Sequence, residues 1–190
     1  GRAWGVSIGN FDGDNRPDLA VRAFTGGTVS FFLNGSSTGS ISFSSSPSLV
    51  VTTGVSTAQK SNNVSIGDFD GDGKIDLAVS NSGDDTMSVL RNISIGIGSL
   101  SFTNRLNYTT GDSPANLVVG DMNADGKPDI AVANNGGGTV SLFRNVATVL
   151  PPVITSFNPA SGPISTTVTI TGQNFNPTPA NNIVFFGATQ

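Results

Sequence analysis

Ten of the 13 acidic residues, every one an aspartate, fall in three nine-residue stretches. These are 10–18 (NFDGDNRPD), 68–76 (DFDGDGKID) and 121–129 (DMNADGKPD). Each carries Asp or Asn at its first, third, fifth and ninth places. The sets are Asn10, Asp12, Asp14 and Asp18; Asp68, Asp70, Asp72 and Asp76; and Asp121, Asn123, Asp125 and Asp129. Oxygen donors on alternate residues of a sharp turn wrap a hard cation. The carbonyl of the seventh residue (Arg16, Lys74 or Lys127) would add a backbone ligand. Water would complete six to eight oxygens, a number that suits Ca²⁺ better than Mg²⁺. Up to three Ca²⁺ ions are therefore expected. The sixth place holds Asn15, Gly73 or Gly126, residues that tolerate a left-handed backbone.

The middle loop has four carboxylates and each outer loop three, so the middle one is expected to bind most tightly. Asp and Asn also favour turns without any metal. Against that plainer reading, three or four like charges in one empty turn would repel. The EF-hand fits poorly, because it needs a bidentate Glu at position 12. Here that position is Val21, Val79 or Val132, and the chain has no Glu.

The rest of the composition narrows the chemistry. Net charge is −4, and three Ca²⁺ would bring it to near +2, so the acidity is local. No Lys/Arg cluster exists to replace counterions on phosphate, so no nucleic-acid partner is expected. With no Cys and no His, disulfides, His-ligated zinc and Ser–His nucleophiles are all excluded. Outside the loops only Asp84, Asp85 and Asp112 remain as carboxylates. The first two suit a solvated hairpin turn better than glycoside hydrolysis. Gly136–Gly138 lacks the Lys-Ser/Thr of a phosphate-binding loop. The chain is not expected to be an enzyme. No apolar run is long enough to cross a bilayer, so membrane insertion is not expected. A start at Gly1, without Met or a signal segment, suggests a processed or excised piece.

The elements that must hold these loops are read from a repeat. Ten residues after each loop's last Asp comes Thr (Thr28, Thr86, Thr139). Two further on comes Ser (Ser30, Ser88, Ser141), and sixteen after the Asp comes Asn (Asn34, Asn92, Asn145). Asn34 and Asn92 also match glycosylation acceptors, but Asn145 does not, which favours a structural role for all three. Spacing between units differs by five residues, and the excess is placed mainly near 59–63, a polar stretch suited to an exposed loop.

Each unit predicts four strands. The first leads into the loop (6–11, 64–69, 117–122). The second leaves it at Leu19, Leu77 and Ile130. The third is an alternating run (28–33, 86–90, 139–143), joined to the second by Gly- or Asp-rich turns. A fourth is expected at 41–43 with 49–52, and at 100–108; the third unit has none. Four short strands every 50 to 60 residues is the rhythm of a β-propeller blade. About three blades are present, whereas closed propellers have about four to eight. The expectation is the C-terminal part of a larger propeller, with the missing blades supplied by the rest of the polypeptide.

The run from Gly67 to Val79 (GDFDGDGKIDLAV), with 9–21 and 120–132, resembles the FG-GAP/VCBS repeat of integrin α-chains and bacterial surface proteins. The resemblance covers roughly 1–147 and implies calcium-bearing propeller blades, with the loop positions above as ligands. The tail resembles the start of an IPT/TIG immunoglobulin-like domain. The residues that carry this likeness are Pro152 to Pro163, Val168 to Phe175 and Ile183 to Gly187. The expected organisation is blades at 1–147, a linker at 148–152 stiffened by Pro151 and Pro152, and a partial immunoglobulin-like β-sandwich at 153–190. The fold class expected is all-β throughout.

Function follows from the same reading. The chain is expected to be a non-enzymatic, calcium-binding module of a secreted or cell-surface protein, serving adhesion or recognition of an extracellular protein or glycan. The alternative is a carbohydrate-binding or ancillary domain of a polysaccharide-degrading enzyme. Sugar sites need exposed aromatics, and Trp4 and Tyr108 are the only Trp and Tyr.

Overall fold

A computed structural model describes residues 3–23, 26–53, 63–148, 153–163, 165–173 and 175. The described residues form strands and turns, with no helix. The first sheet orders β1 (Ala3–Gly9), β2 (Asp18–Ala23), β3 (Thr28–Phe32) and β4 (Leu49–Thr52) side by side. The second repeats the pattern with β5 (Val64–Gly67), β6 (Asp76–Asn81), β7 (Thr86–Leu90) and β8 (Leu106–Thr109). The third has β9 (Pro114–Gly120), β10 (Asp129–Asn134) and β11 (Thr139–Phe143). All neighbouring strands are antiparallel.

Register is identical in the three sheets. Ala20 lies opposite Ser7 and Phe31, Ala78 opposite Ser65 and Val89, and Ala131 opposite Val118 and Leu142. Because side chains alternate across a strand, equivalent residues face the same way in every blade. Small residues at the centre of one face let the next blade approach. Between the first two blades, Phe11, Phe31, Val64, Leu77, Val79 and Leu90 form a continuous buried core. Between the second and third, Met87, Leu117, Ile130 and Val132 do the same.

The first strands differ from expectation at one end. They stop at Gly9, Gly67 and Gly120, two residues before the predicted ends. The cause is local: the amides of Phe11, Phe69 and Met122 donate to the ninth-place aspartates and not to a neighbouring strand. The fourth strands are shorter than predicted. Phe43 and Phe102 each make only an isolated bridge, to Asn34 and Asn92. Phe102 is held instead by its ring, stacked on Phe31 with centroids 4.8 Å apart. The polar stretch 59–63 lies outside the described residues except for Asn63.

In the C-terminal segment, β12 (Val153–Asn158) pairs antiparallel with β13 (Thr169–Gln173), with Phe157 opposite Ile170. The strand-like residues 183–187 lie outside the described residues.

Candidate metal centre

Each loop joins the first and second strands of its blade. Two of its residues are left-handed: the fourth (Gly13, φ 81°; Gly71, 76°; Ala124, 60°) and the sixth (Asn15, 67°; Gly73, 84°; Gly126, 82°). Two such turns, two residues apart, curl the backbone so that alternate side chains face inward. The sixth place was readable from its Gly and Asn. The fourth was not, because Ala124 breaks the pattern; an L-residue there costs roughly 1–2 kcal/mol.

Inside the curl, the fifth amide donates to the third side chain in all three loops. The pairs are Asp14 to Asp12 Oδ1 at 3.1 Å, Asp72 to Asp70 Oδ1 at 3.1 Å, and Asp125 to Asn123 Oδ1 at 2.9 Å. These bonds fix the orientation of the third-place side chains. In the middle loop, Asp68, Asp70 and Asp76 bring carboxylate oxygens within 4.8 Å of one another. Among the described residues this is the one acidic group that converges so closely. Asp72, also expected as a ligand, is outside that trio.

The outer loops hold their side chains through further bonds. In the first, Arg16 turns back on Asp14, with Nε at 2.7 Å and Nη2 at 2.6 Å from Oδ2. Burial pushes the Asp14 carboxyl up, but the hydrogen bonds and charge of Arg16 outweigh it and leave the group below its ordinary value. Asn10 Oδ1 accepts from the Gly13 amide. In the third loop, Asp121 accepts from the amides of Asp125 and Gly126, and Asp125 accepts from Lys127.

The ninth-place aspartates are buried and have a second task. Asp76 takes the Phe69 amide on Oδ2 (2.9 Å) and the Asn92 amide on Oδ1 (2.7 Å). Asp18 takes Phe11 and Asn34, and Asp129 takes Met122 and Asn145, in the same way. Each ties its loop to the end of its blade's third strand. Desolvation raises the Asp18 carboxyl above its ordinary value, against the pull of the bonds from Asn34 and Phe11.

A family model for FG-GAP-like repeats matches residues 10–79 and again 68–132. The chain belongs to the FG-GAP-like repeat family. Each match in this FG-GAP-like repeat protein runs from the start of one loop to the second strand of the next blade. It therefore takes in a whole blade-to-blade junction. An IPT/TIG domain model matches residues 152–190. No curated protein matches the chain.

Two features of the FG-GAP-like loops escaped sequence reasoning. The Gly98 amide, on the turn after β7, donates to Asp12 Oδ2 at 2.8 Å, so the second blade touches the first blade's loop. Two of the repeated asparagines, Asn92 and Asn145, likewise reach across blades, with partners more than 70 residues away. Their recurrence was visible, but their acceptors were not.

Proposed function

We propose that this chain is a calcium-stabilised, non-enzymatic recognition module of a secreted or cell-surface protein. The reading rests on one observation: Asp68, Asp70 and Asp76 converge on a loop whose turn is already set by two left-handed residues and by a bond inside the loop. The donor set is oxygen alone, which suits a hard cation. Asp72 and the Lys74 carbonyl complete the proposed middle site. The proposed outer sites are Asn10, Asp12, Asp14, Asp18 and the Arg16 carbonyl, and Asp121, Asn123, Asp125, Asp129 and the Lys127 carbonyl. When bound, Ca²⁺ supplies the positive charge that lets these carboxylates crowd together. The chain's own part is to hold the oxygens and, through the ninth aspartate, to carry loop order into the blade. Adjoining surface loops would then stay in place for an extracellular protein or glycan. No helix among the described residues is long and apolar enough to cross a membrane.

Calorimetric titration with Ca²⁺ tests the reading, together with melting curves in calcium and in chelator. Heat of binding and a higher melting temperature with calcium are the expected results. Identical melting curves in the two buffers would count decisively against it. One observation favours the carbohydrate-binding alternative: Trp4 and Tyr108 are both substantially exposed, as sugar-stacking rings must be. A glycan array decides between the two.

A further inference from the structure

The three loops are joined, residue by residue, by one line of hydrogen bonds. In the first loop, Asp18 Oδ2 accepts the Phe11 amide. The Phe11 carbonyl accepts the Asn92 side-chain amide at 2.8 Å, and the Asn92 backbone amide donates to Asp76 Oδ1 at 2.7 Å. Asp76 Oδ2 accepts the Phe69 amide, and the Phe69 carbonyl accepts the Asn145 side-chain amide. The Asn145 backbone amide donates to Asp129 Oδ1, while Asp129 Oδ2 accepts the Met122 amide. Every ninth-place aspartate is a link in this line, and each is also a proposed cation ligand.

The link between the first and middle loops is the stronger one. Asp18, Phe11, Asn92 and Asp76 are each 2 % exposed or less. Water therefore does not compete for these bonds, and the low local polarity strengthens them. Asn145 is only half-buried. The same two loops share a second contact, because the Gly98 amide of the second blade donates to Asp12 Oδ2 at 2.8 Å. Asp12 is itself a proposed ligand of the first site. The bond to Phe11 is also separate from what seats Asn92 in its own blade. That seat is a pair of bonds to Ile75 and Asp76, and Asn34 makes the same pair to Pro17 and Asp18.

We propose that the first and middle cation sites are coupled, so that filling one tightens the other, with Asn92 as the positioning residue between them. The proposal rests on the calcium reading above and adds regulation to it. An empty middle loop crowds Asp68, Asp70 and Asp76 within 4.8 Å. Their repulsion works against the one orientation in which Asp76 accepts two amides. Neutralising the crowd fixes Asp76, and with it the backbone of Asn92. The Asn92 side chain then holds the Phe11 carbonyl, and the Phe11 amide holds Asp18. Order already present at one site lowers the entropy cost of binding at the next, and linkage makes the effect reciprocal. The middle loop has four carboxylates to the first loop's three, so it fills first and the first loop gains. Repulsion between the two ions opposes this, and physiological salt screens it.

Calcium calorimetry of the full chain at physiological salt tests the proposal. Asp125→Ala removes the third site and leaves the pair. Adding Asp70→Ala isolates the first site, and adding Asp12→Ala instead isolates the middle one. The two-site affinity of the pair should exceed the product of the isolated affinities by about tenfold, within the range usual for coupled sites. Asn92→Ala should abolish that excess while both sites still bind, an outcome that a merely structural asparagine would not give. If Asn92→Ala fails to fold, hydrogen exchange replaces it. In the chain carrying Asp12→Ala and Asp125→Ala, calcium at the middle loop should slow exchange of the Phe11 amide by about the same factor. No calcium heat in the parent chain would overturn the calcium reading itself. Calcium heat without an excess in the pair, an excess that survives Asn92→Ala, or Phe11 exchange unchanged with the middle site filled would each overturn the coupling alone.

Discussion

The side-chain amide of Asn92 donates to the backbone carbonyl of Phe11, 81 residues earlier, at 2.8 Å. The same side chain holds the Ile75 carbonyl at 3.1 Å, while the backbone amide of Asn92 donates to Asp76. One buried residue therefore joins the end of the third strand, its own blade's loop and the preceding blade's loop. Asn145 repeats the cross-blade bond to Phe69. The aspartate-rich loops of this protein are coupled to the interface between blades, not appended to it.

Asn92→Ala should therefore act as an interface mutation. It removes the donor from the buried Phe11 carbonyl and the part-buried Ile75 carbonyl, and a buried acceptor left unpaired costs about 1–3 kcal/mol. Asn34→Ala should cost less, because among the described residues the Asn34 side chain serves only the Pro17 carbonyl and the Ser36 amide. Urea unfolding of the two variants, compared at equal chain concentration, checks the order. Equal losses would contradict the coupling.

The ninth and third aspartates should separate by their response to calcium. Asp76 is fully buried and accepts two backbone amides, and bonds to a charged group are worth about 1.5–3 kcal/mol each. Asp76→Ala should destabilise the protein even in chelator. Asp70→Ala should remove one Ca²⁺ from the calorimetric stoichiometry while lowering the melting temperature chiefly when calcium is present. A matched loss for both variants in chelator would show that the two positions do the same work.

Ala124 stands at φ 60° where the other loops have glycine. Ala124→Gly should relieve that backbone and stabilise the third loop by about 1 kcal/mol. The measured signs should be a higher melting temperature and tighter calcium binding at the third site. A loss of stability would mean that the Ala124 methyl makes a contact worth more than the strain.

The repeat made most of this architecture legible. Constant Thr, Ser and Asn offsets set the strand order, and the alternation of 28–33, 86–90 and 139–143 set which faces bury. Legibility failed where a residue answers to a distant partner. Phe102 reads as part of a strand, yet its ring stacks on Phe31 in the neighbouring blade. Phe11 reads as the end of a strand, yet its amide belongs to Asp18. The acidic spacing marked three loops equally, but convergence of three carboxylates is found only at Asp68, Asp70 and Asp76 among the described residues. The Arg16 guanidinium engages Asp14 in the first loop, and the Asn123 amide engages Asp125 Oδ2 in the third. Neither engagement is encoded in spacing alone.

Arg16 would compete with the proposed cation for Asp14. Its guanidinium occupies Oδ2 from two nitrogens, and an ion drawing on that oxygen must displace it. Arg16→Ala removes the competitor and leaves the residue-16 carbonyl in place as a ligand. Calcium affinity of the first loop should rise, as read by calorimetry on an Asp70→Ala background that removes the middle site. Weaker binding would assign Arg16 a supporting role instead.

Among the described residues Arg22 is the largest fully buried side chain, and there only Nη1 has a partner, the Thr53 hydroxyl at 2.7 Å, with none for Nε and Nη2. Burial lowers its pKa to about 10, below the ordinary arginine value, so the charged form is disfavoured in the fold. For a base shifted downward, that penalty is fully present at neutral pH and is relieved only as pH climbs past the folded value. The equivalent residues are Ser80 and Ala133, so the repeat itself does not require a cation there. Arg22→Met keeps much of the volume and removes the charge, and such replacements of poorly compensated buried charges are neutral to stabilising by about 1–4 kcal/mol. A higher urea midpoint at pH 7 is the expected outcome. A drop of several kcal/mol would instead make this guanidinium a working part of the interface between the first two blades.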